Sequence, residues 1–196
     1  DDVESRGLGD VYKRQGECMN LDEQIAALAQ NLGKATLQSK HKIVTAESCT
    51  GGMLASAITD VAGSSQWFEM GFVTYETSTK TRYLDVDAKV IEEKGVVSEE
   101  VAQAMARGAL AQFPQCTLSA GITGYAGPGV GSERMPVGSV CIGWGYRFNE
   151  HIVTVSRMVH VPGDRAMVRR FATATALQGL LELIKFGNPV TMPCEY

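Results

Sequence analysis

Residues 46–52 (AESCTGG) bring two hydroxyl groups and a thiol next to two glycines. A β-branched run at 42–46 precedes them and apolar residues at helical spacing follow, so the segment is predicted to be a strand-to-helix turn. Unpaired N–H groups at a helix start favour negative charge and can place a nucleophile beside donors for an oxyanion. Ser48 is therefore a candidate nucleophile, and Thr50, Gly51 and Gly52 are candidate substrate contacts. A plain helix cap formed by Ser48 or Thr50 explains the same residues equally well.

Cys49 is the rival nucleophile, because thiolates at helix N-termini are activated. A small buried cysteine after a turn is also a common packing choice. The three histidines, His41, His151 and His160, show no paired ligand spacing, so the sequence predicts no metal site and no cofactor. Without an evident histidine partner for Ser48, the role of base shifts to a lysine.

Tyr75 and Lys80 form the second candidate pair. Residues 71–75 (GFVTY) are predicted to be a strand that ends at Tyr75, and Lys80 lies in the polar stretch that follows. A partly desolvated lysine at a strand end could lose its proton near neutral pH and act as a base. The competing interpretation is a solvated loop lysine near a tyrosine of the core or its rim.

Two further segments could bind an anion. Residues 121–132 contain five glycines after a predicted strand, so the backbone around Thr123 and Gly124 can approach a phosphate or carboxylate. The segment is not a Walker loop, since no Gly-Lys-Ser/Thr follows, and a flexible surface loop is the alternative. Arg165, in the Gly-Asp-Arg sequence of 163–165, opposes the dipole of the helix it opens, which favours an anion clamp.

The remaining pattern interleaves helices and strands. A capping box of Asn20 and Glu23 opens the first helix, and Ser98 caps another. Further helices are predicted at 53–61, 87–93 and 164–184, and further strands at 117–122, 137–145 and 152–159, the last two antiparallel around Asn149. The prediction is one α/β domain, a three-layer α/β/α sandwich with a mixed sheet.

Composition limits the setting and the partners. The 196 residues carry a net charge of -4, which disfavours nucleic acid as the main partner. Five cysteines without a CxxC pair suit a reducing cytoplasm, and the lack of a long apolar run predicts no membrane span. Residues 1–18 read as a non-native or disordered segment before a natural start at Met19, and residues 187–196 as an irregular tail after a domain at 19–186.

Four motifs together resemble the CinA C-terminal domain family. They are residues 45–52 (TAESCTGG), residues 71–75 with Lys80 five positions later, residues 124–128 (GYAGP) with 136–138 (PVG), and residues 163–165 (GDR). The resemblance runs from about Met19 to Ile184 and is to the stand-alone form of the family. Characterised members of that form are nicotinamide-nucleotide amidohydrolases, which convert nicotinamide mononucleotide to nicotinate mononucleotide and ammonia.

The resemblance implies roles for individual residues. Ser48 would be the nucleophile, Lys80 its general base and Tyr75 a supporting hydrogen-bonding group, while Thr123 and Arg165 would bind the nucleotide. It also implies a homo-oligomer. Residues 76–79 read ETST where the family commonly has SNEA, and Pro162 replaces a common serine, so ligand contacts there are expected to differ. A non-catalytic pyridine-nucleotide-binding module of the same family and an amidase for another phosphorylated amide are the alternative functions.

Overall fold

The computed structural model describes residues 20–132 and 135–186, so the predictions for 1–18, Met19 and 187–196 lie outside the described residues. In chain order, the elements are α1 (Leu21–Ser39), β1 (Ile43–Glu47), α2 (Met53–Thr59), β2 (Phe68–Val73), α3 (Thr77–Leu84), α4 (Ala88–Lys94), α5 (Glu99–Ala111), β3 (Leu118–Gly124), β4 (Ser139–Phe148), β5 (His151–His160) and α6 (Arg165–Phe186), with a 3-10 turn at Ser64–Gln66. The capping box of Asn20 and Glu23 and the Ser98 cap are confirmed. In the described part of the chain, none of the helices has the length and apolar character that a membrane span requires.

The sheet has the order β2-β1-β3-β4-β5. Its first three strands are parallel, and β4 and β5 are antiparallel to their neighbours, so the predicted mixed sheet is confirmed. One face packs against α1, α2 and α6, and the other packs against α5 with α3 and α4 beside it. The predicted three-layer α/β/α sandwich is therefore confirmed.

The carboxyl ends of the three parallel strands meet at one edge of the sheet. The chain leaves β1 through α2 on one face and returns from β2 through α3, α4 and α5 on the other. Strand order therefore reverses at β1, and such a switch point opens a crevice at the strand ends. Ser48 N–H donates to the Ile122 carbonyl at 3.0 Å, and Thr74 N–H donates to the Glu47 carbonyl at 2.9 Å. The first bond joins the segment that follows β1 to β3, and the second joins the segment that follows β2 to the end of β1.

Two local predictions were wrong. The strand expected at 71–75 spans Phe68–Val73, because Val73 is the last residue to pair with β1, opposite Glu47. Lys80 lies not in a polar loop but in α3, where it and Leu84 are the buried residues. A lysine thus takes the core-facing position of a helix at which the sequence pattern expects an apolar side chain.

Helix α6 is held on the sheet by a close contact with β4. The Trp144 indole N–H donates to the Ala176 carbonyl at 3.0 Å, and a side chain at Gly179 would lie only 2.2 Å from the same ring. The large buried ring of Trp144 packs directly against the helix backbone at Gly179, and this contact fixes the position of α6. The arginines at the start of α6 are thereby placed at the crevice.

Gly108 of α5 fixes α3 in a similar way, and its replacement by alanine is expected to destabilise the protein. A Cβ there would lie 1.8 Å from the Leu84 carbonyl oxygen, so the two helices must separate. The helix-propensity gain of about 1 kcal/mol is outweighed by an overpacking cost of about 1–3 kcal/mol. Urea unfolding of Gly108→Ala measures the net effect, with Ala111→Gly at the exposed end of α5 as the propensity control. An increase in the free energy of unfolding of Gly108→Ala would contradict the expectation.

Candidate active site

The turn at residues 48–52 connects β1 to α2. Gly51 and Gly52 have φ angles of +60° and +94°, which side chains other than glycine rarely adopt. Gly51 N–H donates to the Ser48 carbonyl at 3.0 Å, and Met53 N–H donates to the Thr50 carbonyl at 3.2 Å. The two glycines therefore let the chain reverse tightly immediately after Ser48, as the spacing of the motif predicts.

Lys80 reaches Ser48 across the crevice. Its Nζ lies 3.0 Å from Ser48 Oγ, 2.6 Å from the Thr74 carbonyl oxygen and 3.2 Å from the Tyr75 carbonyl oxygen. A protonated ammonium group would donate to all three oxygens. A neutral amine would donate to the two carbonyls and turn its lone pair to the Ser48 hydroxyl. The second arrangement is that of a base next to its nucleophile.

The surroundings of Lys80 favour the neutral amine. The side chain is fully buried. Burial lowers the pKa of Lys80 from its ordinary value of 10.5, against smaller opposing effects from Cys49 and Glu76. Among the described residues, no carboxylate forms an ion pair with it. Loss of the proton therefore relieves the cost of a buried charge and leaves a lone pair 3.0 Å from Ser48 Oγ.

Tyr75 and Arg165 meet above the crevice. Arg165 Nη2 donates to the Tyr75 phenol oxygen at 3.1 Å, and its Nη1 donates to the Gly127 carbonyl at 2.6 Å. Both side chains are exposed, and Arg165 forms no ion pair with a carboxylate in the described part of the chain. A guanidinium group with unused N–H donors can donate hydrogen bonds to an incoming phosphate.

Cys49 does not have the environment of a reactive thiol. Burial raises the pKa of the Cys49 thiol to about 11. The nearby Glu47 carboxylate adds to the rise, while a backbone hydrogen bond and the charges of Arg165 and Arg169 oppose it. The group is thus a protonated thiol near neutral pH, and nucleophilic attack requires the thiolate. The geometry favours Ser48, which has the lysine beside it.

Thr123 and Gly124 lie at the end of β3, next to the turn. A side chain at Gly124 would lie 3.1 Å from Cys49 Sγ and 2.9 Å from Val140 Cγ2, so only glycine fits there. The buried Thr123 hydroxyl donates to the Val96 carbonyl at 2.8 Å, which leaves its oxygen free to accept only. The structure thus links Ser48, Lys80, Tyr75 and Arg165 by hydrogen bonds and places Gly124 beside the turn, while the Thr123 side chain bonds to the backbone of Val96.

Of the three backbone N–H groups predicted to bind an oxyanion, those of Thr50, Gly51 and Gly52, two already have hydrogen-bond acceptors within the protein. Gly51 N–H is bonded to the Ser48 carbonyl, and Gly52 N–H donates to the Glu47 carboxylate at 3.0 Å. Thr50 N–H has no hydrogen bond to any residue within 20–132 or 135–186, and the Thr50 hydroxyl is likewise unpaired in that part of the chain. Thr50 is the member of the predicted trio that keeps a backbone donor.

Two charged residues at the turn received no role from the sequence. Glu47 is fully buried at the end of β1, and Arg169 donates from α6 to the carbonyls of Cys49 and Thr50. Arg169 follows Arg165 by four residues, which places both on one face of a helix, and this spacing could have drawn attention to it. For Glu47 the signal was an acidic residue between a buried strand and a glycine turn. Among the described residues, no group of histidine, cysteine and acidic side chains is arranged to hold a metal ion.

Comparison with known proteins shows which family the chain resembles. The model of the CinA C-terminal domain matches residues 25–184. The chain is 43% identical over 161 residues to the nicotinamide-nucleotide amidohydrolase PncC of Pseudomonas putida, covering 82% of this chain and 98% of that protein. It is also 43% identical over 159 residues to PncC of Escherichia coli K12, covering 81% of this chain and 94% of that protein.

Solved structures agree with the sequence comparison. The competence/damage inducible protein CihA of Agrobacterium tumefaciens superposes with a TM-score of 0.75 at 36% identity, covering 82% of this chain and 95% of that one. The competence damage-inducible protein A of Klebsiella pneumoniae gives a TM-score of 0.78 at 30% identity, covering 84% and 99% of the two chains. With the family model matching residues 25–184 and both sequence and fold similar to these relatives, the chain belongs to the CinA C-terminal domain family.

Proposed function

We propose that this protein is an amidohydrolase that converts nicotinamide mononucleotide to nicotinate mononucleotide and ammonia. The observation that carries the proposal is the buried Lys80 amine 3.0 Å from the Ser48 hydroxyl. The relatives that carry the name nicotinamide-nucleotide amidohydrolase support the substrate class. The proposal includes the cytoplasmic setting that the cysteine pattern suggests and the homo-oligomeric assembly that the family resemblance implies.

The serine–lysine pair accounts for both halves of the reaction. Neutral Lys80 takes the hydroxyl proton as Ser48 Oγ attacks the carboxamide carbon, and the resulting ammonium group returns a proton to the leaving nitrogen. Ammonia leaves and an ester to Ser48 remains. Water, activated by the same lysine, then attacks the ester, releases the nicotinate carboxylate and restores the serine. The free N–H of Thr50 is the proposed donor to the oxyanion, an interaction worth about 3–4 kcal/mol in other hydrolases.

The other predicted residues would hold the nucleotide. Arg165 has donors left for a phosphate after its bonds to Gly127 and Tyr75, and it has no competing carboxylate in the described part of the chain. Gly51 and Gly52 leave room for the substrate near Ser48, Gly124 would offer it backbone, and the Thr123 hydroxyl oxygen can accept a hydrogen bond from it. Tyr75 orients Arg165 and, through its backbone carbonyl, Lys80.

Ammonia release by the purified protein tests the function. The protein is expected to hydrolyse nicotinamide mononucleotide with a kcat/KM roughly 100-fold above that for nicotinamide riboside, because charge-assisted bonds to the phosphate contribute about 1.5–3 kcal/mol each. Arg165→Met is expected to lower the ratio of kcat/KM for the mononucleotide to kcat/KM for the riboside, mainly by raising KM for the mononucleotide. Arg170→Met, which removes an arginine paired with Asp22 on the protein surface, is the matched control.

Two outcomes would overturn the proposal. Tight calorimetric binding of the mononucleotide without any ammonia release would make the protein a binding module. Faster turnover of a different phosphorylated amide in a competition assay would keep the chemistry and change the substrate.

A further inference from the structure

Glu47 is a buried carboxylate that has no cation within ion-pair distance among residues 20–132 and 135–186. Its two oxygens instead accept three backbone N–H groups at the start of α2. Oε2 accepts from Gly52 at 3.0 Å and Leu54 at 3.1 Å, and Oε1 accepts from Ala55 at 2.9 Å. The chain thus fills with its own side chain the helix end at which many proteins bind an external anion.

Arg169 holds the same turn by its carbonyl groups. Its Nε donates to the Cys49 oxygen at 3.1 Å, and its Nη2 donates to the Thr50 oxygen at 2.9 Å. A planar guanidinium group fits two neighbouring acceptors at once, which a lysine ammonium group does not. Within the described residues this half-buried arginine forms no ion pair.

The two contacts fix the peptide planes around the nucleophile. In a trans peptide the C=O and the N–H point in opposite directions. Because Arg169 draws the Cys49 oxygen to its side, the N–H of the same peptide unit, that of Thr50, points away from α6. Glu47 fixes the other end of the turn through Gly52. Ser48 lies next to both restrained parts, and its Oγ stays 3.0 Å from Lys80 Nζ.

Stability alone does not account for this arrangement. A buried carboxylate loses its hydration, and an apolar side chain of similar size often gives equal or greater stability in its place. A charged group that bonds only to the backbone of one turn orients that turn with little contribution from packing. The geometry therefore points to a role in catalysis.

We propose that Glu47 and Arg169 are positioning residues that clamp the nucleophile turn from its N–H side and its C=O side, and so keep Ser48 aligned with Lys80. The proposal rests on the serine–lysine function proposed above. Neither residue touches the substrate in this role. Loss of either is therefore expected to lower kcat and leave KM for the mononucleotide nearly unchanged.

The Arg169 half is tested by kinetics on three variants. Arg169→Met and Arg169→Lys are each expected to lower kcat about 10- to 100-fold, the loss typical of a nucleophile displaced by about 1 Å. Arg170→Met, one position further along α6, should retain wild-type kcat. An unchanged kcat in Arg169→Met, or a raised KM with normal kcat, would overturn this half, since the second result is that of a phosphate ligand.

The Glu47 half has a readout that a general loss of stability does not reproduce. Glu47→Ala leaves three N–H groups facing a small space, and formate is the smallest carboxylate that can occupy it. Added formate is expected to raise the kcat of Glu47→Ala at least tenfold. Neutral formamide should not raise it, because only an anion is stabilised by the N–H groups at the helix start. Glu69→Ala, at an exposed acidic residue of β2 that is paired with Lys42, should show no response to formate. Equal effects of formate and formamide, or no rescue of a variant that folds, would overturn this half.

Labelling with a fluorophosphonate separates this proposal from the proposed function. Ser48 Oγ displaces fluoride from such a probe, and intact-protein mass gives the rate without any need for the correct amide substrate. Wild type that is labelled rapidly but releases no ammonia would refute the amidase function alone. Equal labelling rates of wild type, Arg169→Met and Glu47→Ala would refute the clamp alone. If Glu47→Ala does not fold, the Arg169 variants still decide the outcome.

Discussion

Ser48→Ala is expected to lower kcat for ammonia release from nicotinamide mononucleotide by roughly 10⁴-fold or more, the scale seen when a hydrolase loses its nucleophile. The side chain is small and packed beside Lys80, so the variant should fold with a similar free energy of unfolding. Substrate binding should survive, because the proposed nucleotide contacts lie elsewhere in the crevice. Ammonia assays under single-turnover conditions, with binding measured by calorimetry, check both statements.

Cys49→Ala is the matched control for this experiment. The thiol lies next to Ser48 in the same turn, and its pKa of about 11 leaves it protonated near neutral pH. Its removal should change kcat by less than about tenfold, the loss expected from slight loosening of a packed turn. Full activity in Ser48→Ala together with loss of activity in Cys49→Ala would transfer the nucleophile role to Cys49.

The second large effect is expected at Lys80. Lys80→Met keeps the length of the side chain and removes the base, so kcat should fall roughly 10²- to 10⁴-fold, the usual contribution of general-base catalysis. Lys80→Arg should be equally impaired, because a guanidinium group does not lose its proton in proteins. Steady-state rates for both variants test this. Near-normal activity in Lys80→Arg would exclude a neutral base at this position.

The pH profile of the wild type belongs to the same prediction. The base must be neutral to act, and burial lowers the pKa of Lys80 below 10.5. The value of kcat/KM is therefore expected to rise with pH through that lowered pKa and to level off at a lower pH than the titration of a solvated lysine would give. The residual activity of Lys80→Met should lack this rise. A wild-type rate that falls as pH increases through the same range would assign the titration to a different group.

The sequence pattern was sufficient to predict the elements that depend on local interactions. The box of Asn20 and Glu23 satisfies N–H groups at a helix start, and the short buried strand before Ser48 is rich in β-branched residues, so both could be identified from local composition. The alternation of helices and strands gave the three layers. The order of the strands could not be obtained in this way, since it depends on contacts between residues far apart in the sequence.

The site itself was predictable in part. The motifs pointed to Ser48, Lys80, Tyr75, Thr123 and Arg165. In the structure, hydrogen bonds join Ser48 to Lys80 and Tyr75 to Arg165. Helix α3 was missed because Lys80 lies on its buried face. The candidate base thus interrupts the apolar periodicity by which an amphipathic helix is identified from sequence. Glu47 and Arg169 were missed for another reason. Their partners are backbone groups of one turn, and backbone groups leave no trace in side-chain patterns.

The sequence separation of these contacts also governs when the crevice forms during folding. Ser48 meets Lys80 across 32 positions, Tyr75 meets Arg165 across 90, and Cys49 meets Arg169 across 120. Contacts between distant residues carry a loop-closure cost and form late. During synthesis, Ser48 and Lys80 leave the ribosome long before the arginines of α6. The crevice is therefore complete only after α6 has packed against β4, and a partly synthesised chain carries Ser48 and Lys80 without the arginines that complete their surroundings.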